Sequence, residues 1–133
     1  MKMGVNLCGV ELKNPVIAAS GTFGFGREYD KFYNVADLGG ISVKGLTRLP
    51  RLGNPPHRIT ETPSGMLNSV GLQNPGVEAF IENDLPWLLE KGAVVVANAA
   101  GSTEDDYCYM AERLSQTGIH ILEMNISCPN VKV

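Results

Sequence analysis

Runs of positive charge are missing from this chain. Its 11 Lys and Arg are scattered and outnumbered by 14 Asp and Glu, which leaves a net charge of −3. A phosphate-backbone partner requires a basic face, so no nucleic-acid role is expected. Long apolar runs are missing too. The most apolar stretch, AVVVANAA (Ala93–Ala100), is far too short to span a bilayer and carries Asn98. The opening MKMGVNLCGVELK has no continuous apolar segment of the kind a secretory leader needs. These absences point away from a membrane and toward a soluble, cytoplasmic protein. Cysteine is scarce and odd in number: Cys8, Cys108 and Cys128, with no C-x-x-C. Neither a disulfide framework nor a metal site is expected from that set. The sequon Asn125–Ser127 is taken as coincidence in a chain without a leader.

What is present is an ordinary globular balance, 44% hydrophobic and 19% charged, in a chain long enough for one domain. Short apolar runs alternate with helical stripes. The runs are Pro15–Ser20, Gly40–Lys44, Ala93–Asn98 and Ile119–Asn125. They are rich in β-branched residues and not strictly alternating, which suits strands of a parallel sheet covered on both faces. Helical spacing links Tyr29, Phe32, Tyr33 and Ala36, then Val77, Phe80, Ile81, Leu85 and Leu88, then Tyr107, Met110, Ala111 and Leu114. Pro86 should kink or split the second helix, and Gly92 should end it. A capping box from Thr103 to Asp106 should start the third, and Gly118 should stop it.

Two segments break this rhythm. Residues 4–14 read as a small hairpin. Residues 45–75 read as a long insertion holding strand, turn at Pro63–Gly65, strand and loop, and such structured loops are often functional. The order is α/β with parallel strands. Four strands fit a small open sheet, or half of a (β/α)8 barrel of about 250 residues; the pattern alone leaves both open.

Each core run ends in a polar residue: Ser20, Lys44, Asn98 and Asn125. In parallel α/β folds these ends share the face that holds the site. Ser20 and Asn98 also suit caps or turns. Lys44 does not, and an ammonium there requires a partner or ligand. Cys8 and Cys108 read as inert packing. Cys128 follows a strand end in a polar loop between Asn125 and Asn130, where a tuned thiol can act as nucleophile or base. The glycines of SGTFGFG (Ser20–Gly26) have the wrong order for a dinucleotide fingerprint, and fit close approach of backbone to a flat ligand.

Four stretches in register, AASGTFGFG (Ala18–Gly26), SVKGLT (Ser42–Thr47), MLNSVGLQNPG (Met66–Gly76) and NISCPN (Asn125–Asn130), resemble the dihydroorotate dehydrogenase family across the whole chain. The nearest likeness is to the catalytic subunit of its NAD-linked class 1B. The resemblance implies one incomplete TIM-barrel domain over residues 1–133, about four of eight βα units, with an N-terminal hairpin and a long insertion after strand two. It implies FMN at the barrel mouth, with dihydroorotate oxidised to orotate in pyrimidine biosynthesis. A base takes the C5 proton while a hydride leaves C6 for the flavin.

By the same resemblance Cys128 is that base, which favours class 1 over the serine-bearing class 2. Ser20, Lys44, Gly45, Asn98 and Asn125 match cofactor contacts. Lys44, Asn68, Ser69, Val70, Gly71, Leu72 and Asn125 match substrate contacts. A partner subunit with FAD and an iron–sulfur cluster is implied, as is a homodimer of the complete catalytic chain. The family's phosphate cradle belongs to strands seven and eight, so the chain is read as a truncated form. Competing readings are a non-catalytic half-barrel that self-associates, the fumarate-linked class 1A enzyme, dihydropyrimidine dehydrogenase, and a Schiff-base aldolase using Lys44.

Overall fold

The computed structural model describes residues 3–126. Four parallel strands form its sheet, in chain order: β3 (Ile17–Ala18), β4 (Gly40–Ser42), β7 (Val95–Ala100) and β8 (Ile121–Asn125). Before them β1 (Val5–Leu7) and β2 (Val10–Leu12) pair antiparallel around Cys8 and Gly9, both at positive φ. After β4, strands β5 (Ile59–Thr62) and β6 (Gly65–Asn68) form a second hairpin, turning at Pro63 and Ser64 as expected for the insertion. The fold is α/β with a parallel sheet and packed helices. Among the described residues no helix is long and apolar enough to cross a membrane.

Register divides the sheet into two unlike faces. Ile41 pairs with Val95, and Ala97 and Ala99 pair with Leu122 and Met124. That face, with Val43 but without the exposed Met124, packs on Phe80, Leu88, Met110 and Leu114. Ser42 pairs with Val96, and Asn98 and Ala100 pair with Glu123 and Asn125, on the opposite face. Successive side chains alternate, so the polar groups Ser42, Asn98, Glu123 and Asn125 gather on one side, together with Val96 and Ala100. Each large side chain fully buried on the apolar side contributes roughly 1.5–3 kcal/mol.

The helices depart from expectation in instructive ways. The stripe from Tyr29 to Ala36 is not one helix but two 3₁₀ turns, Tyr29–Lys31 and Val35–Asp37. Asn34 adopts extended backbone and accepts a hydrogen bond from Ala36 N–H, which restarts the chain instead of continuing it. Phe32 is consequently 83% exposed, not core. The second helix runs as α1 (Val77–Ala79), a π turn (Phe80–Asp84) and α2 (Leu85–Glu90). Pro86 lacks the N–H an unbroken helix needs, and the wider π turn just before it absorbs the mismatch.

Helix α3 (Glu104–Ser115) starts at Thr103, whose hydroxyl accepts from Asp106 N–H. Asp106 Oδ2 in turn accepts from Ser102 N–H, the largest of the contacts that hold this carboxyl below its usual range. A lowered carboxyl stabilises the fold at neutral pH, an effect lost as pH falls through its folded value. The helix stops at Ser115 before Gly118, which packs against Leu89: a Cβ there would lie 2.7 Å from Leu89 Cδ1, so that side chain would have to shift. Cys8 and Cys108 are both exposed, contrary to the packing expected of them: one sits in a turn, the other on the outer side of α3.

Candidate active site

The polar face opens at its C-terminal end into a groove of about 410 Å³. It is lined by Ser20, Gly21, Lys44, Gly45, Leu72, Asn98, Glu123, Met124, Asn125 and Ile126. A bulge in β4 shapes it. Val43 N–H donates to Val96 O (3.0 Å), and the next sheet bond is Leu46 N–H to Asn98 O (2.8 Å). The chain advances three residues on β4 against two on β7, so one residue is extra at Lys44–Gly45. Bulges of this kind redirect side chains. Here Lys44 and Gly45 both border the groove, and the Lys44 N–H leaves the sheet to donate to Gly24 O (3.1 Å). The glycine-rich loop is thereby tied to β4. Ser20 adds a second tie, its Oγ donating to Val43 O at 2.7 Å.

Gly45 makes the floor flat. A Cβ there would lie 2.8 Å from Leu72 Cδ1 and 2.9 Å from Asn98 Oδ1. Asn98 is buried, and its Oδ1 accepts from Asn125 Nδ2 at 3.2 Å, which fixes the facing of both amides. Tyr107 on α3 donates its hydroxyl proton to Asn125 O (2.6 Å) and holds the end of β8. Among the described residues the Lys44 side chain has no ion-pair or hydrogen-bond partner, although it borders the groove. Gly45→Val is expected to cost about 1–3 kcal/mol by overpacking and to reduce binding of any flat ligand at least tenfold. Chemical denaturation and ligand titration measure the two effects.

The structure therefore gathers six of the expected residues: Ser20, Lys44, Gly45, Leu72, Asn98 and Asn125. Asn98 lies inside β7 and not at its end. Of the expected loop Asn68–Leu72, only Leu72 reaches the groove. Asn68 pairs with Ile59 in the hairpin, and Ser69 and Val70 are tied to Arg58 and Asn54 by backbone bonds. Gly71, at φ 73°, packs against Asn54 and lets the chain turn toward Leu72. Cys128 lies outside the described residues.

Sequence reasoning missed Glu123, although alternation along β8 places it on the same face as Asn125. It also missed Asn74, a buried hub. Asn74 Oδ1 accepts from Thr47 N–H (3.1 Å) and Gly76 N–H (2.9 Å), while Nδ2 donates to Leu72 O (2.8 Å). The Asn-Pro-Gly triplet was the available signal. Tyr107 read as a core stripe residue, and nothing in the sequence marked its hydroxyl contact.

The family model for dihydroorotate dehydrogenase matches residues 2–133. Over 132 residues the chain is 55% identical to the dihydroorotate dehydrogenase B (NAD(+)), catalytic subunit, of Thermoanaerobacter pseudethanolicus, covering 99% of this chain and 44% of that protein. Over 128 residues it is 56% identical to the protein of the same name from Petrotoga mobilis, covering 96% and 43%. The crystal structure of the Eimeria tenella dihydroorotate dehydrogenase in complex with ferulenol superposes with a TM-score of 0.76 at 24% identity. That match covers 98% of this chain and 38% of the other, and is a likeness of fold. The chain thus spans less than half the length of the relatives it matches. With the family model aligned from end to end and more than half of the residues shared with those two relatives, the chain belongs to the dihydroorotate dehydrogenase family.

Proposed function

We propose that the full-length protein carrying this sequence oxidises dihydroorotate to orotate with FMN, as the catalytic subunit of an NAD-linked enzyme. One observation carries the reading: the Lys44 ammonium, with no ion-pair or hydrogen-bond partner among the described residues, borders a flat glycine floor beside two oriented amides, Asn98 and Asn125. The floor fits a planar ring because a Cβ at Gly45 would fill it. Ser20, Gly45, Asn98 and Asn125 would hold the ring side of the cofactor. FMN, when bound, would supply the acceptor for the hydride from the substrate's C6. Lys44 stabilises negative charge on ligand carboxylate or ring. The amides read a ring edged with N–H and C=O groups, and Cys128 takes the proton from C5. The Asn68–Leu72 loop, reached here only at Leu72, covers the substrate's outer side.

The same reading makes the four parallel strands one half of a single TIM-barrel domain in a cytoplasmic enzyme that works as a homodimer. The relatives' printed name, with its NAD(+) and its catalytic subunit, supports a separate partner subunit; on the same reading that partner bears FAD and an iron–sulfur cluster. The test is anaerobic titration of the purified full-length protein. Dihydroorotate should bleach the bound flavin and yield one orotate per flavin, and dihydrouracil should not. Bleaching by dihydrouracil instead would assign the pyrimidine-degrading activity, and bleaching by neither would overturn the proposal.

A further inference from the structure

Neither the family resemblance nor the proposed reaction assigns a role to Tyr107, yet it connects helix α3 to the groove floor. Its hydroxyl donates to Asn125 O at 2.6 Å, in a half-buried contact. Three observations fix the backbone from which the ring projects. Asp106 Oδ2 accepts from Ser102 N–H at 3.1 Å, and Thr103 Oγ1 accepts from Asp106 N–H at 3.2 Å, so the first turn of α3 is closed by its cap. Tyr107 N–H donates to Thr103 O at 3.3 Å. Gly101, directly after β7, lets that turn sit close: a Cβ there would lie 2.8 Å from Asp106 Cβ and 3.2 Å from Tyr107 Cδ2.

Across the contact, Asn125 is the last residue of β8 and pairs with Ala100 at the end of β7. Element ends are where backbone loosens first. The Asn125 side chain reports any such loosening to the groove. Its Nδ2 donates to Asn98 Oδ1 at 3.2 Å and lies 3.8 Å from the position a Cβ would take on Gly45. Rotation of the Asn125 peptide would draw this amide off Asn98 and off the glycine floor.

We propose that Tyr107 is a positioning residue: by holding the Asn125 carbonyl it sets the Asn125 amide, and through it the Asn98 amide, toward the ligand. Tyr107 does not line the groove and acts only through Asn125. This deepens the proposed function and rests on Asn125 serving the cofactor.

The test uses the full-length protein and two readouts independent of turnover. Tyr107→Phe removes one oxygen and keeps the ring. Hydrogen–deuterium exchange in the peptide covering residues 121–126 should quicken about 3–10-fold. FMN titration of the apoprotein should show a dissociation constant raised about 3–10-fold, the scale of one lost hydrogen bond. In an Asn125→Ala background the same substitution should change that constant by less than about twofold, because the amide it positions is gone. Asn125→Ser serves as the background if Asn125→Ala does not fold. A role in stability alone would weaken FMN equally in both backgrounds. Equal losses, or wild-type exchange or FMN affinity in Tyr107→Phe, would overturn the inference even if dihydroorotate is oxidised. Coupled losses in a protein that binds FMN but leaves dihydroorotate unoxidised would uphold the inference and overturn the reaction. A wild-type protein without affinity for FMN would overturn both.

Discussion

Cys128→Ala in the full-length enzyme is expected to lower dihydroorotate oxidation by about 10²–10⁴-fold, the usual loss when a positioned base is removed. Flavin content should be unchanged, because the residues proposed to hold the cofactor ring, Ser20, Gly45, Asn98 and Asn125, do not include the thiol. Cys128 follows β8 by three residues in the sequence. Stopped-flow reduction under anaerobic conditions isolates the step from reoxidation. Cys128→Ser should keep part of the rate with its optimum at higher pH, since a hydroxyl surrenders its proton less readily than a thiol. Wild-type reduction in the alanine variant would exclude Cys128 as the base.

The second large effect is expected at Asn74. Its amide joins Thr47, Leu72 and Gly76, and so closes the base of the 45–75 insertion. Asn74→Ala would leave two backbone N–H groups and a carbonyl without their partner in a buried site. At about 1–3 kcal/mol for each unsatisfied group the loss should reach about 3 kcal/mol or more. Leu72 is held at φ 57°, a costly conformation for a branched side chain, and the Asn74 bond to its carbonyl helps hold it there. Substrate KM should therefore rise along with the loss of stability. Chemical denaturation and steady-state kinetics read the two. A loss under about 1 kcal/mol with unchanged KM would show that the loop does not depend on this hub.

Much of this was legible from the residues. Parallel strands announce themselves as short β-branched runs, and three of the four polar strand ends reached the groove as strand ends or just beyond them. The paired hairpin in the insertion was visible because Pro63–Gly65 is turn chemistry. Three things were hidden for separate reasons. The Tyr29–Ala36 stripe has helical spacing, but a single Asn34 cap divides it, and local hydrogen bonding outweighs periodicity. The bulge at Lys44–Gly45 depends on which carbonyl Leu46 finds across the sheet, a non-local fact. Glu123 was overlooked because an acidic residue in a strand reads as solvated until register shows which groups share its face.

The order of the strands in the sheet is their order in the chain. On a ribosome this means that β4 emerges when β3 is already available, β7 when β4 is, and β8 when β7 is. After β3, each new strand finds one hydrogen-bond partner already made. The long closure is β4 to β7, across the β5–β6 hairpin and the α1–α2 helix; the sheet otherwise grows unit by unit in chain order during synthesis. The groove is assembled last, because Asn125 arrives only with β8 and its anchor Tyr107 only one helix earlier. Translation slowed beyond this point would thus meet a nascent chain whose ligand floor is already laid down.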